Sequence, residues 1–168
     1  MLDINVVSFL VFDMLILGMS ITAFHDLFGE RKFHNYWRWA LAFFALAYFA
    51  LAIAPFVCRE ILTLANLLVL CAGVAQALLF RTWNQPVGKR LLLALAAAIV
   101  LLTLVFEYLR QFGTFQQRSG LISGVLISLC IWHIAELWRL HRREPNFFVK
   151  LMLLFSSISL VFAGLRWV

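Results

Sequence analysis

The sequence predicts an all-α protein, a polytopic membrane helix bundle with six transmembrane helices. Three observations carry that expectation. The 168 residues are 64% hydrophobic and only 13% charged, where a soluble domain carries about 25% charged residues. Mean hydropathy is +0.95, more apolar surface than a chain of this size can fold away from water. The apolar residues also fall into six runs of about twenty, the length that crosses a hydrocarbon core of roughly 30 Å at 1.5 Å per residue. A single transmembrane domain over 1–168 leaves no room for a soluble one.

The first run, 4–24, holds Asp13 near its centre. A central Asp costs roughly 2.5 to 3.5 kcal/mol, and each Leu, Ile, Phe or Val returns roughly 0.3 to 0.6, so the dozen such residues around it still drive insertion. The opening MLDINVV has no basic n-region and no small-residue cleavage site follows, which reads as a span and not as a cleaved signal peptide. The loop HDLFGERKFHNYW comes next, and part of it is expected as a short interfacial helix. Its Phe28, Phe33, Tyr36 and Trp37, with Trp39, suit the headgroup level. The second run, 39–55, is threaded with Ala40, Ala47, Ala50 and Ala54, small enough for close helix packing. The turn containing Arg59 and Glu60 is so short that the second and third runs form an antiparallel hairpin.

The third run, 61–80, is uncharged from Leu62 to Leu79 and stops at Arg81, Trp83 and Pro86. Asn66 and Gln76 have little reason to face lipid, and Ala65, Ala72 and Gly73 let neighbours approach, so this run is expected in the middle of the bundle. The fourth, 91–108, is nearly featureless and is expected to face lipid, with Glu107 and Arg110 closing it. The fifth, 119–138, opens with Ser119, Gly120, Ser123 and Gly124, a small-xxx-small pattern that predicts a tight crossing at Gly120, Ser123 and Gly124. The sixth, 147–165, carries Ser156, Ser157 and Ser159.

Fourteen Lys and Arg against eight Asp and Glu give a net charge of +6. The cations sit in short loops and form no continuous stripe, which argues against nucleic acid as a partner. Ten of them (Arg31, Lys32, Arg38, Arg81, Lys89, Arg90, Arg139, Arg142, Arg143 and Lys150) follow the odd-numbered runs, and four (Arg59, Arg110, Arg118 and Arg166) lie on the other side. The positive-inside bias therefore puts both termini outside the cytoplasm. Cys58, Cys71 and Cys130 lack metal or redox spacing and read as small hydrophobes.

Two stretches, YWRWALAFFALAYFALAIAP at 36–55 and ILTLANLLVLCAGVAQALLFRTWNQP at 61–86, together with the closing LVFAGLRWV, resemble the multi-span sensor region ahead of GGDEF domains in bacterial diguanylate cyclases. The LAN of the third run is its most quotable signature. The resemblance implies a bacterial inner-membrane location and a sensory role. No GGDEF motif is present, and an even number of crossings leaves the C-terminus periplasmic, so a cytosolic output domain needs a seventh crossing. The simplest expectation is a sensor region cut short of its catalytic domain, with a stand-alone relative as the alternative.

Five residues are candidates for sensing a ligand or signal. Asp13 is the foremost, since an ionisable group at mid-bilayer is a functional-site hypothesis by default; its bland alternative is a neutral acid hydrogen-bonded to a neighbour. Asn66 is expected to bond another helix. His133 and Glu136 share one helix face as an i,i+3 pair, formally a start for a metal or proton relay, but two residues make no site and both are expected to reach water at the interface. Arg59 would stand at the outer mouth of a pocket. His133 is the one histidine clearly inside a run, so facing haem ligands are lacking, and no cofactor or metal is expected. No HExxH, GxSxG or paired intramembrane carboxylates point to an enzyme. The function expected is a membrane-embedded signalling-input module, with a membrane lipid, a small-molecule or lipid ligand, or a second copy of the chain as partners. A small oligomeric transporter or channel subunit is the alternative.

Overall fold

The computed structural model describes residues 34–54 and 60–165. Within them the chain forms five helices: α1 (His34–Ile53), α2 (Ile61–Asn84), α3 (Lys89–Phe112), α4 (Phe115–Arg143) and α5 (Phe147–Leu165), with no strand among the described residues. The expected first span, Asp13 within it, and the turn containing Arg59 lie outside the described residues.

Three of these helices, α2, α3 and α4, are long and apolar enough to cross a membrane, and the apolar part described for α5 is the shorter Phe147–Val161. Six such helices were expected, so among the described residues the count is corrected to three. The first expected span is not among the described residues.

Helix α2 is the hub, as its Ala and Gly content predicts. Ala65, Ala72, Gly73, Ala75 and Ala77 are all buried, and α1, α3 and α4 pack around it while α5 packs on α4. Neighbours in the chain run antiparallel. Val74, Leu78 and Leu129 pack against Leu91, Leu95 and Ile99 of α3, and Leu79, Phe80 and Leu137 gather Tyr36 and Trp37 of α1 with Met152 and Leu153 of α5. Helix α3 buries only Phe106, and its exposed Leu93, Val100, Leu101 and Leu104 present the lipid-facing surface expected of the fourth run. Association of such helices rests on van der Waals packing and interhelical hydrogen bonds, because lipid tails are as apolar as leucine.

The helices outrun the apolar runs. Helix α4 begins at Phe115 because Thr114 caps it: its hydroxyl accepts from the Gln117 N–H at 3.3 Å while the Gln117 carboxamide accepts from the Thr114 N–H at 2.9 Å. At 29 residues it is about 43 Å long, beyond the roughly 30 Å of a hydrocarbon core. Helix α2 likewise continues through Asn84, and the linkers are reduced to 85–88, 113–114 and 144–146.

Candidate functional site

The face that α4 turns toward α2 carries Ser123, His133 and Glu136, and all three are buried. A buried carboxylate is tolerated only when charges and hydrogen bonds replace its water, and Glu136, 1% exposed, has four such partners. From α2, Arg81 Nη1 donates to Oε1 at 3.4 Å and Asn84 Nδ2 donates to Oε2 at 2.9 Å. From its own helix, Trp132 Nε1 and Arg139 Nη1 each reach Oε1 at 3.3 Å. Asn84 also donates to the Glu136 backbone carbonyl at 2.8 Å, so the amide joins the two helices through side chain and main chain together.

This arrangement follows from helix geometry. Arg81 and Asn84 are three apart on the last turn of α2, and Trp132 and Arg139 lie four before and three after Glu136, so each pair shares a face with its neighbour. The α2 and α4 helices run parallel, so their C-terminal ends meet, and the cations there also favour the negative ends of both helix dipoles.

One turn deeper, His133 Nε2 lies 2.9 Å from the Gly73 carbonyl oxygen. A carbonyl only accepts, so this nitrogen carries the proton. The ring is 7% exposed and meets Phe80 edge-on at a centroid distance of 5.4 Å. Gly73 also lies at the close approach of α2 to α4, where an added Cβ would sit 2.8 Å from Leu129 Cδ1.

Several expectations need correcting here. His133 and Glu136 do share a face, but neither reaches water, because the C-terminal turns of α2 cover them; they bond α2 and not one another. Among the described residues no group of three His, Cys, Asp or Glu converges on a metal site. Asn66 does not bond another helix: its Nδ2 donates to the Leu62 carbonyl of its own helix at 2.7 Å, and the side chain borders a narrow crevice of about 30 Å³ with Thr63, Thr103 and Val125. Of the tight crossing expected at Gly120, Ser123 and Gly124, the part at Gly120 is corrected. Ser123 is fully buried and Gly124 half-buried, but a Cβ on Gly120 would touch nothing within 4 Å. The close approach is made by Gly73 of α2 instead. Asp13 and Arg59 lie outside the described residues.

The opposite end of the bundle has its own clamp. Arg110 grips Glu107 through two bonds, Nε to Oε2 at 2.8 Å and Nη2 to Oε1 at 2.6 Å, the bidentate geometry in which such pairs are strongest. Thr63 of α2 donates to Glu107 at 2.7 Å, and Arg110 Nη1 lies 3.5 Å from Glu60. Glu60 is thus within ion-pair distance of α3, although its side chain is 66% exposed.

The partners Arg81, Asn84, Trp132, Arg139 and Gly73 were not anticipated as a unit. Two signals pointed to them: Glu136 is an isolated acid in a basic end, and Arg81 and Asn84 share the face on which a polar residue would have to be paired. No family model, no curated protein and no solved structure matches the chain.

Proposed function

We propose that this chain is a membrane-embedded signalling-input module that passes a ligand, lipid or partner signal from the bilayer to a cytosolic output domain. The observation that carries this reading is the buried Glu136 node, which ties the inner ends of α2 and α4 through Arg81 and Asn84. A packed core with a few buried polar pairs rearranges between discrete states, because sliding α2 against α4 exchanges whole hydrogen bonds. A signal acting on one of these helices thus biases the position of the other. The resemblance of 36–55 and 61–86 to sensor regions of diguanylate cyclases points the same way, and it is the ground for assigning the bacterial inner membrane.

The finer topology in this proposal has six crossings, with residues 4–24 as the first and α1 and α5 as the second and sixth. The linkers at 85–88 and 144–146 then face the cytoplasm, together with the cations of the helix ends that flank them, Arg81, Lys89, Arg90, Arg139, Arg142, Arg143 and Lys150, and both termini are periplasmic. The transporter or channel alternative draws no support from α2, α3 and α4, whose helical stretches run unbroken, where transport sites favour interrupted helices.

To test this, the chain is joined through a seventh crossing to a GGDEF domain and cyclic diguanylate is measured in cells. Glu136→Gln and Arg81→Gln are expected to shift basal output, and Asp13→Ala or Asn66→Ala to change its regulation. Unaltered output in all four, with each protein present at parental levels, would sink the proposal.

A further inference from the structure

A crevice of about 530 Å³ opens at the basic end of the bundle, lined by Tyr36 of α1 and by Thr82, Trp83, Asn84, Gln85 and Val87. Guanidinium groups hold two of these lining residues. With its oxygen turned toward the guanidinium, the orientation that satisfies both groups, the Gln85 carboxamide accepts from Arg81 Nη1 and Nη2 at 3.1 and 3.0 Å, and Arg143 Nη1 donates to the Asn84 carbonyl at 3.2 Å. The charge balance there is one-sided. Arg81 and Arg139 share the single carboxylate of Glu136, and exposed Lys89 and Arg90 follow Val87 by two and three positions.

The chain geometry adds to this field. Helix α3 starts at Lys89 behind an N-cap glycine, Gly88, with no side-chain capping bond; the Leu91 N–H already donates to the Gly88 carbonyl at 3.1 Å, which leaves the N–H groups of Lys89 and Arg90 at the positive end of the helix dipole. A Cβ at Gly88 would meet nothing within 4 Å, so that end of the helix is accessible. Asn84 Oδ1 is buried with no donor among the described residues.

We propose that this crevice binds the phosphodiester headgroup of an anionic membrane lipid of the phosphatidylglycerol kind. The surplus guanidinium and ammonium charge meets the phosphate. Tyr36 and Trp83 flank it as amphipathic rings at headgroup depth. The volume falls within the range of roughly 300 to 1,000 Å³ usual for small-ligand sites. A lipid is the source favoured over a free phosphate because the crevice lies where the uncharged stretch 62–79 of α2 ends, so a bound headgroup keeps its acyl chains in the bilayer. The proposal requires only that the helices are in a membrane; it stands or falls separately from any signalling role.

The test uses the whole chain in nanodiscs of phosphatidylcholine containing phosphatidylglycerol, with retained lipid counted by native mass spectrometry after release. The parent is expected to retain phosphatidylglycerol over phosphatidylcholine by about tenfold or more, and Arg143→Gln and Lys89→Gln each to cut that preference about fivefold. Gly88→Asp separates binding from folding. A carboxylate at the N-cap strengthens α3 while repelling phosphate, so the variant is expected to melt no lower than the parent and yet to lose the preference. Gln116→Asp, at the other end of the bundle, is expected to keep it. Equal retention of the two lipids by the parent, or an undiminished preference in Gly88→Asp, would overturn the proposal. So would displacement of the lipid by millimolar glycerol phosphate in the buffer, which would make the site one for a soluble anion.

Discussion

Removing the Glu136 carboxylate is the sharpest test of the packing described here. Glu136→Ala leaves Arg81, Asn84, Trp132 and Arg139 without their common acceptor. Breaking one side of a buried ion pair costs about 3 to 5 kcal/mol when the survivor stays buried. The survivors here are unequal. Arg139 is 58% exposed and turns to water, while Arg81 is 26% exposed and remains hemmed in by α4. The expected loss is therefore near the low end, about 3 kcal/mol. Glu136→Gln keeps the acceptor but not its charge, and charge-assisted bonds are roughly twice as strong as neutral ones, so about half that loss is expected. The double change Arg81→Met with Glu136→Leu replaces the pair by apolar volume and is expected to restore most of it, since such swaps are often neutral or stabilising. Denaturant unfolding in mixed micelles, with Trp fluorescence as the signal, measures all three. Losses in Glu136→Ala below about 0.5 kcal/mol, the range of ordinary surface substitutions, would refute the claim that this node holds α2 to α4.

Other perturbations discriminate neighbouring features. His133→Ala deletes the bond to the Gly73 carbonyl and the edge contact with Phe80, and a loss of about 1 to 3 kcal/mol is expected in the same unfolding assay. The two glycines should behave oppositely: Gly120→Ala fills open space and is expected to stabilise by about 0.5 to 1 kcal/mol, while Gly73→Leu collides with Leu129 and is expected to cost about 1 to 3 kcal/mol. Gly113→Ala places a Cβ 2.7 Å from the Leu109 carbonyl oxygen, so a lowered melting temperature is expected there although the residue lies in a linker.

The apolar runs were legible because lipid demands them: about twenty uncharged residues at a stretch have few other uses. The central place of α2 was legible from Ala65, Ala72 and Gly73, and the outward-facing apolar character of α3 from the lack of any polar residue over 91–102. Helix ends were harder. Charges such as Arg118 and Arg139 end an apolar run without ending a helix, and the Thr114–Gln117 box, not hydropathy, sets where α4 begins. The partners of Glu136 were hidden for a different reason. Arg81 and Asn84 are more than fifty residues away, and only the parallel register of α2 and α4 brings them within reach. Gly120 misled because a small residue permits a close approach without requiring one, and no neighbour comes near it.

The central claim is that α2, α3 and α4 cross a membrane in alternating directions, bringing the Glu136 node and the linkers at 85–88 and 144–146 to one face. Single cysteines at Gln85, Gln116 and Glu144, in a chain with Cys58, Cys71 and Cys130 replaced, test it in intact spheroplasts with an impermeant maleimide. The expected result is labelling of position 116 alone, with positions 85 and 144 labelled only after lysis. Labelling of all three before lysis, or of position 116 together with just one of the other two, would contradict the account.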